Sequence, residues 1–443
     1  MDPATRSRWE QLDRQHVWHA FSQMADYQGL IIQHAEGCWL TDISGRRLLD
    51  GVSSLWCNVH GHRHPAIDAA VRKQLDQVAH VTGLGMSHPV TLELTEALLR
   101  VTPDRLQHVF YSSDGSSAVE VALKIAFQYW RQIEEPQPDR DLFIALGSAY
   151  HGDTLGSVSV GGISRFHAMF EPLLFRVLRG PCPDARLAGA EAYLQEYQRL
   201  LERHASRVAA VVVEPLVQCA AGMIEHPAGF LAGLRQLCNQ YQVLLIVDEI
   251  AVGMGRTGRM WGFEHEGITP DILCTGKGLS GGYLPLAATL TSTPIWEAFL
   301  GPYEQSRSLF HGHTYSGNPL GCAAALASLQ LLEQPGTLDH VRRQAQRLAL
   351  RLSELAAHPH VGSCRQVGLL GAVELVSNKG SGQPYRWAER RGQRACDEAL
   401  RHNVWLRPLG NVIVIMPPLC INDQELDQLC SAVAAGVEVA TGD

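Results

Sequence analysis

A chain of 443 residues, 46% hydrophobic and 19% charged, can bury a large core and divide it between two domains. Its net charge of −8, with no long run of Lys or Arg, excludes the electrostatic footprint of a nucleic-acid or anionic-membrane binder and points to small-molecule partners. The 11 scattered cysteines form no C-x-x-C pair, so neither a disulfide framework nor a zinc cluster is expected, and reduced thiols in the cytoplasm fit best.

The first twenty residues lack the apolar run of a signal peptide, and no later stretch approaches the length of a membrane span. A cytoplasmic protein without membrane contact is the expectation. The turn signal DISGRR at 42–47 separates apolar patches, and the first 60 or so residues are expected to pack with the end of the chain. His60, His62 and His64 alternate as strand-borne metal ligands would, but no carboxylate or cysteine completes a set; no metal is expected, and the three read as a loop near a substrate mouth.

Further on, GSSAVEVALKIAFQYW at 115–130 places Val119, Ala122, Leu123, Ala126 and Trp130 on one helical face, so a helix should begin near Ser116. Gly115, Ser116 and Ser117 then lie at a helix start, where free amides and hydroxyls favour a dianion. The same residues also read as an ordinary serine N-cap, with Glu120 closing a capping-box-like turn. RQIEEPQPDR at 131–140 reads as an exposed loop.

Five short apolar runs follow, at 141–146, 207–216, 243–251, 271–277 and 286–292. Continuous β-branched strands of this kind are buried on both faces, which predicts a mostly parallel sheet covered by helices and hence the α/β class. Tyr150 trails the first run, Glu214 and Asp248 stand at the ends of the second and third, and Lys277 ends the fourth.

The third run holds a conflict. VDEIAVGMGRTG at 247–258 spells G-x-G-x-x-G after an apolar strand, as a dinucleotide-binding turn does. Yet Asp248 and Glu249 would repel a pyrophosphate by about a kcal/mol or more each if partly buried, and the RMWGFEHEG that follows advertises no helix to hold it. An acid at the carboxyl end of a buried strand is better suited to a cation, and the protonated ring nitrogen of pyridoxal phosphate is one. That cofactor also requires a lysine, an anion site and a ring-packing group. Lys277, trailed by the small residues GLSGG, supplies the first, residues 115–117 the second and Tyr150 an aromatic ring. Lys277 is not a P-loop lysine, because Asp271 stands in place of the first glycine and Gly278 follows. Glu249 and Arg256 read either as substrate contacts or as a structural ion pair beside the site.

From about residue 323 the pattern changes to helices rich in Leu, Arg and Gln, then to a strand pair in VGLLGAVELV and VIVIMPPL, which suggests a smaller α+β lobe. The expected division is 1–65 as the N-terminal part of the small domain, 66–325 as the large cofactor-binding domain and 326–443 as the C-terminal small domain.

Taken in order, SSDGSSAVEVALK, AYHGDT, VVVEP, LLIVDEIAVGMGRTG, CTGKGLSGGYLP and HGHTYSGNPLGCAAA resemble, over nearly the whole chain, the class III, fold-type I pyridoxal-phosphate aminotransferases. The resemblance implies a transaminase fold with a large domain built on a mostly parallel central sheet and a smaller α+β domain. It also implies a homodimer with shared active sites. By similarity Lys277 would carry the cofactor's aldehyde and act as the catalytic base, Asp248 would pair the ring nitrogen, and Ile250 and Tyr150 would pack about the ring. Gly115 and Ser116 would hold the phosphate, helped by His313 and Thr314 from a second subunit. Phe21, Trp56, Tyr150, Gly312 and Arg407 match substrate positions, with Arg407 the partner of a substrate carboxylate.

Two departures concern the amino donor. Members of the class that use S-adenosylmethionine typically carry Tyr where this chain has Phe21, and Gly-Pro-Thr-Phe where it has Gly312, His313, Thr314 and Tyr315. These features look more like members that take the amino group from lysine. Other readings of the same residues are a broad ω-aminotransferase, a mutase or racemase on the same fold, and a dinucleotide-dependent oxidoreductase.

Overall fold

The computed structural model describes residues 2–442. Its centre is a sheet of seven strands: β1 (Leu106–Ser112), β2 (Leu142–Leu146), β3 (Val177–Gly180), β4 (Val208–Val213), β5 (Leu244–Asp248), β6 (Ile272–Thr275) and β7 (Ala287–Ser292). They lie in the order β1-β7-β6-β5-β4-β2-β3. β7 runs antiparallel to its neighbours β1 and β6, and every other pairing is parallel. The fold is thus α/β with a mostly parallel sheet.

Its strands are apolar throughout because both faces are covered. Val211, Val213, Leu245 and Val247 enter one core with Phe230, Leu231 and Leu234 of the helix Phe230–Gln240. Their alternates, Ala210, Val212, Leu244 and Ile246, pack on the other side against Val119, Ala122 and Ala126 of helix α1 (Gly115–Gln132). The period of two along a strand produces this split, and each fully buried Val or Leu contributes about 1.5–3 kcal/mol.

Register then decides where chemistry can sit. Val247 pairs with Val213 and Asp248 with Cys274. Glu214, Asp248 and Lys277 therefore emerge together at the carboxyl edge, where open α/β sheets bind ligands.

A second lobe is built on the antiparallel strands Val361–Val367, Leu370–Asn378, Val412–Ile415 and Pro408–Leu409. Helices Arg391–Arg401 and Asp423–Thr441 pack on each other there. The start of the chain joins this end of the molecule: Trp39–Asp42 and Arg47–Asp50 form a hairpin, and Arg47–Asp50 pairs in parallel with Val404–Trp405. Asp42 fixes the hairpin turn by accepting from the Ser44 and Arg46 amides at 2.8 and 3.0 Å. Among the described residues no helix is long and apolar enough to cross a membrane.

Candidate active site

A cavity of about 450 Å³ opens at the carboxyl edge of the sheet, lined by Trp56, Gly115, Ser116, Tyr150, Asp248, Ile250 and Lys277. Strand ends supply its ionisable groups. Lys277 follows β6 at φ +30°, a strained angle for a residue with a Cβ, and its Nζ lies 5.3 Å from the centre of the Trp56 ring. Among the described residues no carboxylate pairs with this amine.

Asp248 ends β5 only 4% exposed. Its Oδ1 accepts from the Ile250 amide at 3.0 Å and its Oδ2 lies 2.7 Å from His151 Nδ1. Burial alone would pull the proton affinity of His151 down, but the bond to Asp248 and the charges of Asp248 and Glu214 outweigh it, so the net shift is upward. His151 Nε2 is buried without a hydrogen-bond partner among the described residues.

Glu214 is the second carboxylate of the cluster. It accepts from the Tyr150 amide at 2.9 Å and the Cys219 amide at 3.1 Å, which fixes the turn carrying the Tyr150 ring. Burial raises its carboxyl to about 7. Tyr150 donates its hydroxyl to Asp153 Oδ2 at 2.7 Å, and burial holds its own proton well above the usual tyrosine range.

The expected anion site lies where α1 begins. Asp114, not a serine, is the N-cap: its Oδ1 accepts from the Ser117 amide at 2.9 Å. Glu120 closes no capping box, since its carboxylate turns away to accept from the Gly156 and Ser157 amides. Ser116 Oγ lies 2.8 Å from Thr154 Oγ1. The first amides of the helix remain without intrahelical partners at the cavity wall.

Pyridoxal phosphate fits this donor set. The helix start suits its phosphate, the buried carboxylate its ring nitrogen and the unpaired amine its aldehyde. The glycines keep the space open: a Cβ on Gly115 would lie 2.7 Å from the Ile250 side chain, and one on Gly152 would lie 2.3 Å from Ser116 Oγ.

Other expected site residues lie outside the cavity lining. Arg407 Nη2 approaches the Phe21 carbonyl at 3.5 Å and its guanidinium stands 6.0 Å from the Phe21 ring. Phe21 meets Phe166 edge-on at 5.3 Å, and Phe166 meets Tyr150 at 6.3 Å. This aromatic path runs from the guanidinium back to the cavity, and Phe166 carried no sequence signal of its own. Gly312, His313 and Thr314 sit on an exposed loop and do not line the cavity of their own chain. A ladder of side chains spaced by four on α1 pins that loop. Lys124 Nζ donates to the Phe310 carbonyl at 3.0 Å, Gln128 Nε2 to those of Arg307 and Ser308 at 3.1 Å each, and Gln132 Nε2 to that of Arg307 at 2.9 Å.

Glu249 and Arg256 form no ion pair with each other. Glu249 accepts from the Phe263 and Gly262 amides at 2.8 and 2.9 Å, and burial raises its carboxyl to about 8. Arg256 donates to the Pro417 and Asn58 carbonyls, and burial lowers it to about 10. Each satisfies backbone groups across a gap, which their adjacency to the glycine-rich stretch did not reveal. His151 was legible only as the neighbour of Tyr150, because its role depends on a strand 97 residues away.

The family model described as aminotransferase class-III matches residues 21–437. The chain is 50% identical to the adenosylmethionine-8-amino-7-oxononanoate aminotransferase of Nitratidesulfovibrio vulgaris, across 98% of this chain and 82% of that protein. The crystal structure of the enzyme of that name from Methanocaldococcus jannaschii superposes with a TM-score of 0.94 at 39% identity, covering 98% of this chain and 99% of that one. An amine transaminase from an uncultivated Pseudomonas species, in its PLP-bound form, gives a TM-score of 0.90 at 36% identity, covering 97% and 98%.

Proposed function

The chain belongs to the class-III aminotransferases, and from that premise we propose that it converts 8-amino-7-oxononanoate to 7,8-diaminononanoate, the transamination step of biotin biosynthesis. The observation that carries this is the joint one of a free amine, a buried strand-end carboxylate and a helix start on one cavity, in a chain half identical to a relative bearing that name. Lys277, Asp248 and Tyr150 are the proposed catalytic residues. Gly115, Ser116 and Ile250 complete the cofactor site, with His313 and Thr314 of a second copy closing it and Gly312 beside them on the same loop. Phe21, Trp56 and Arg407 form the substrate wall. The proposed assembly is a homodimer with shared sites, and the proposed division is 1–65 with 326–443 as small domain around 66–325. We place the protein in the cytoplasm.

Pyridoxal phosphate, when bound, supplies an aldehyde that takes up the amino group and a protonated ring that draws electrons from the neighbouring carbon. The chain's residues do the rest. Asp248, held by the Ile250 amide and by His151, keeps a proton on the ring nitrogen by remaining its counter-charge. Lys277 takes the donor's Cα proton and would return it, across the intervening nitrogen, to the carbon that was the cofactor's aldehyde, serving as base and then acid. Ser116 and the first amides of α1 anchor the phosphate, so the ring does not drift during proton transfer. Arg407 binds the carboxylate of donor or acceptor, while Trp56 and the Phe21–Phe166–Tyr150 wall exclude water.

The amino donor is S-adenosylmethionine or lysine. The names of the relatives carry the first, and Phe21 with the sequence of the 312–315 loop favours the second. Purified protein given 8-amino-7-oxononanoate with each donor in turn separates them, and failure to form diaminononanoate with either overturns the assignment. A broad ω-aminotransferase is the second reading, favoured by the likeness to the amine transaminase. Turnover of simple amines with pyruvate, and none of 8-amino-7-oxononanoate, would establish it.

A further inference from the structure

Trp56 reaches the cavity from an unusual backbone. Residues 53–56 have φ of 51, 48, 72 and 72°, four successive non-glycine residues in left-handed conformation. L-residues resist even one such angle, because the Cβ crowds the following carbonyl, and a run of four needs support from outside itself. Yet the turn is hydrogen-bonded as a helix would be, the Trp56 amide donating to the Val52 carbonyl at 2.7 Å and the Cys57 amide to that of Ser53 at 3.1 Å.

The support comes from Asp50, whose side chain is fully buried. Its Oδ1 accepts from the Val52 and Ser54 amides at 3.3 and 3.0 Å, and its Oδ2 accepts from Ser54 Oγ at 2.8 Å. His62 Nε2 lies 3.0 Å from the same Oδ2, while His62 Nδ1 lies 3.2 Å from Asn58 Nδ2. Ser53 Oγ donates to the Met416 carbonyl at 2.6 Å, tying the turn to the second lobe. The alternating histidines thus include one that orients a carboxylate rather than a metal.

We propose that Asp50 is a positioning residue: its carboxylate, oriented by His62, holds the left-handed turn 53–56 and so places the Trp56 indole over the Lys277 amine. A right-handed or extended backbone at 53–56 would aim the indole elsewhere and open the substrate wall. The consequence for turnover rests on the aminotransferase reading; the consequence for the backbone does not.

The test uses Asp50→Ala, Leu55→Gly and their combination in the pyridoxal-phosphate-loaded enzyme. Leu55 is 43% exposed at φ 72°, so glycine there relieves strain with little packing lost. Asp50→Ala raises KM for the keto acceptor about tenfold, the effect of one left-handed residue left unsupported, with kcat within about threefold and the absorbance of bound cofactor unchanged. Adding Leu55→Gly brings KM back to within about twofold of the parent, because glycine removes the strain at one of the four positions, about as much as the lost support supplied. Leu55→Gly alone keeps or raises Tm, whereas at a right-handed position it would lower it. An unchanged KM in Asp50→Ala, or no rescue by the glycine, overturns the proposal. Should Asp50→Ala fail to fold, Ser54→Ala removes one of the Asp50 bonds and gives a smaller rise in KM that the same glycine reverses. The Tm measurement needs no substrate: a fall of several degrees in Leu55→Gly refutes the strained turn even in a protein that proves to catalyse something else.

Discussion

His151 Nδ1 lies 2.7 Å from Asp248 Oδ2, and both side chains are buried. A carboxylate at the end of a parallel strand is thereby held in one rotamer, with its other oxygen on the Ile250 amide. Two bonds fix the direction in which this carboxylate faces, so it need not reorient to pair a ring nitrogen.

Replacing His151 by Leu removes one partner of a charge-assisted bond worth about 1.5–3 kcal/mol. The expected result is a fall in kcat of about 10- to 100-fold, by the equivalence of 1.36 kcal/mol with tenfold. Cofactor still binds, with its absorbance band shifted because the ring nitrogen is less fully protonated. Steady-state rates and the absorption spectrum of the loaded variant check both parts.

Arg407 is expected to act on substrate binding rather than on proton transfer. A charged hydrogen-bonded pair contributes about 1.5–3 kcal/mol, so Arg407→Ala should raise KM for the keto acid about 10- to 100-fold and leave amines that lack a carboxylate unaffected. A substrate panel of carboxylated and uncarboxylated compounds reads this directly.

Glu249 makes stability depend on pH. Burial raises its carboxyl from 4.5 to about 8, so between those values the folded state holds a proton that the unfolded state has released. Stability from this group is therefore fully present below 4.5 and is lost as pH rises through about 8. In Glu249→Gln the amide NH2 faces one of the two backbone donors, which costs about 1–3 kcal/mol at pH 5. The gap between parent and variant should close and then reverse as pH rises toward 8, since only the parent titrates. Denaturant unfolding across that range measures it.

The ladder on α1 predicts an asymmetry between subunits. Gln128 holds the loop that carries His313 and Thr314, and that loop is proposed to close the neighbour's phosphate site. In mixed dimers with Lys277→Ala in one subunit, Gln128→Leu on the Lys277→Ala chain should speed cofactor loss from the competent site about tenfold, the effect of roughly one lost hydrogen bond. The same change on the other chain should leave it unaltered. Dilution of loaded mixed dimers, followed by cofactor absorbance, distinguishes the two.

The five central runs were legible because strands buried on both faces are apolar along their length, and the residues at their ends, Tyr150, Glu214, Asp248 and Lys277, line one cavity. The edge strands escaped notice. β1 keeps Gln107 exposed and His108 half-buried, and β3 has only four residues, so neither shows a continuous apolar run. The helix start at Gly115 was visible within one residue, but Asp114 took the cap and Glu120 served a neighbouring turn. Contacts that depend on residues far apart in sequence, such as His151 with Asp248 or Asp50 with His62, leave no local pattern. The left-handed turn at 53–56 was equally hidden, since no glycine marks it.

The amine of Lys277 is proposed to carry the cofactor opposite Asp248. The chain has four lysines, at 73, 124, 277 and 379, and of these only Lys277 lines the cavity. Borohydride treatment of the pyridoxal-phosphate-loaded protein, followed by peptide mass spectrometry, identifies the lysine that holds it. A single pyridoxyl group fixed on Lys277, and none in Lys277→Ala, is the expected outcome. Stoichiometric label on Lys73, Lys124 or Lys379, or no label at all, would contradict it.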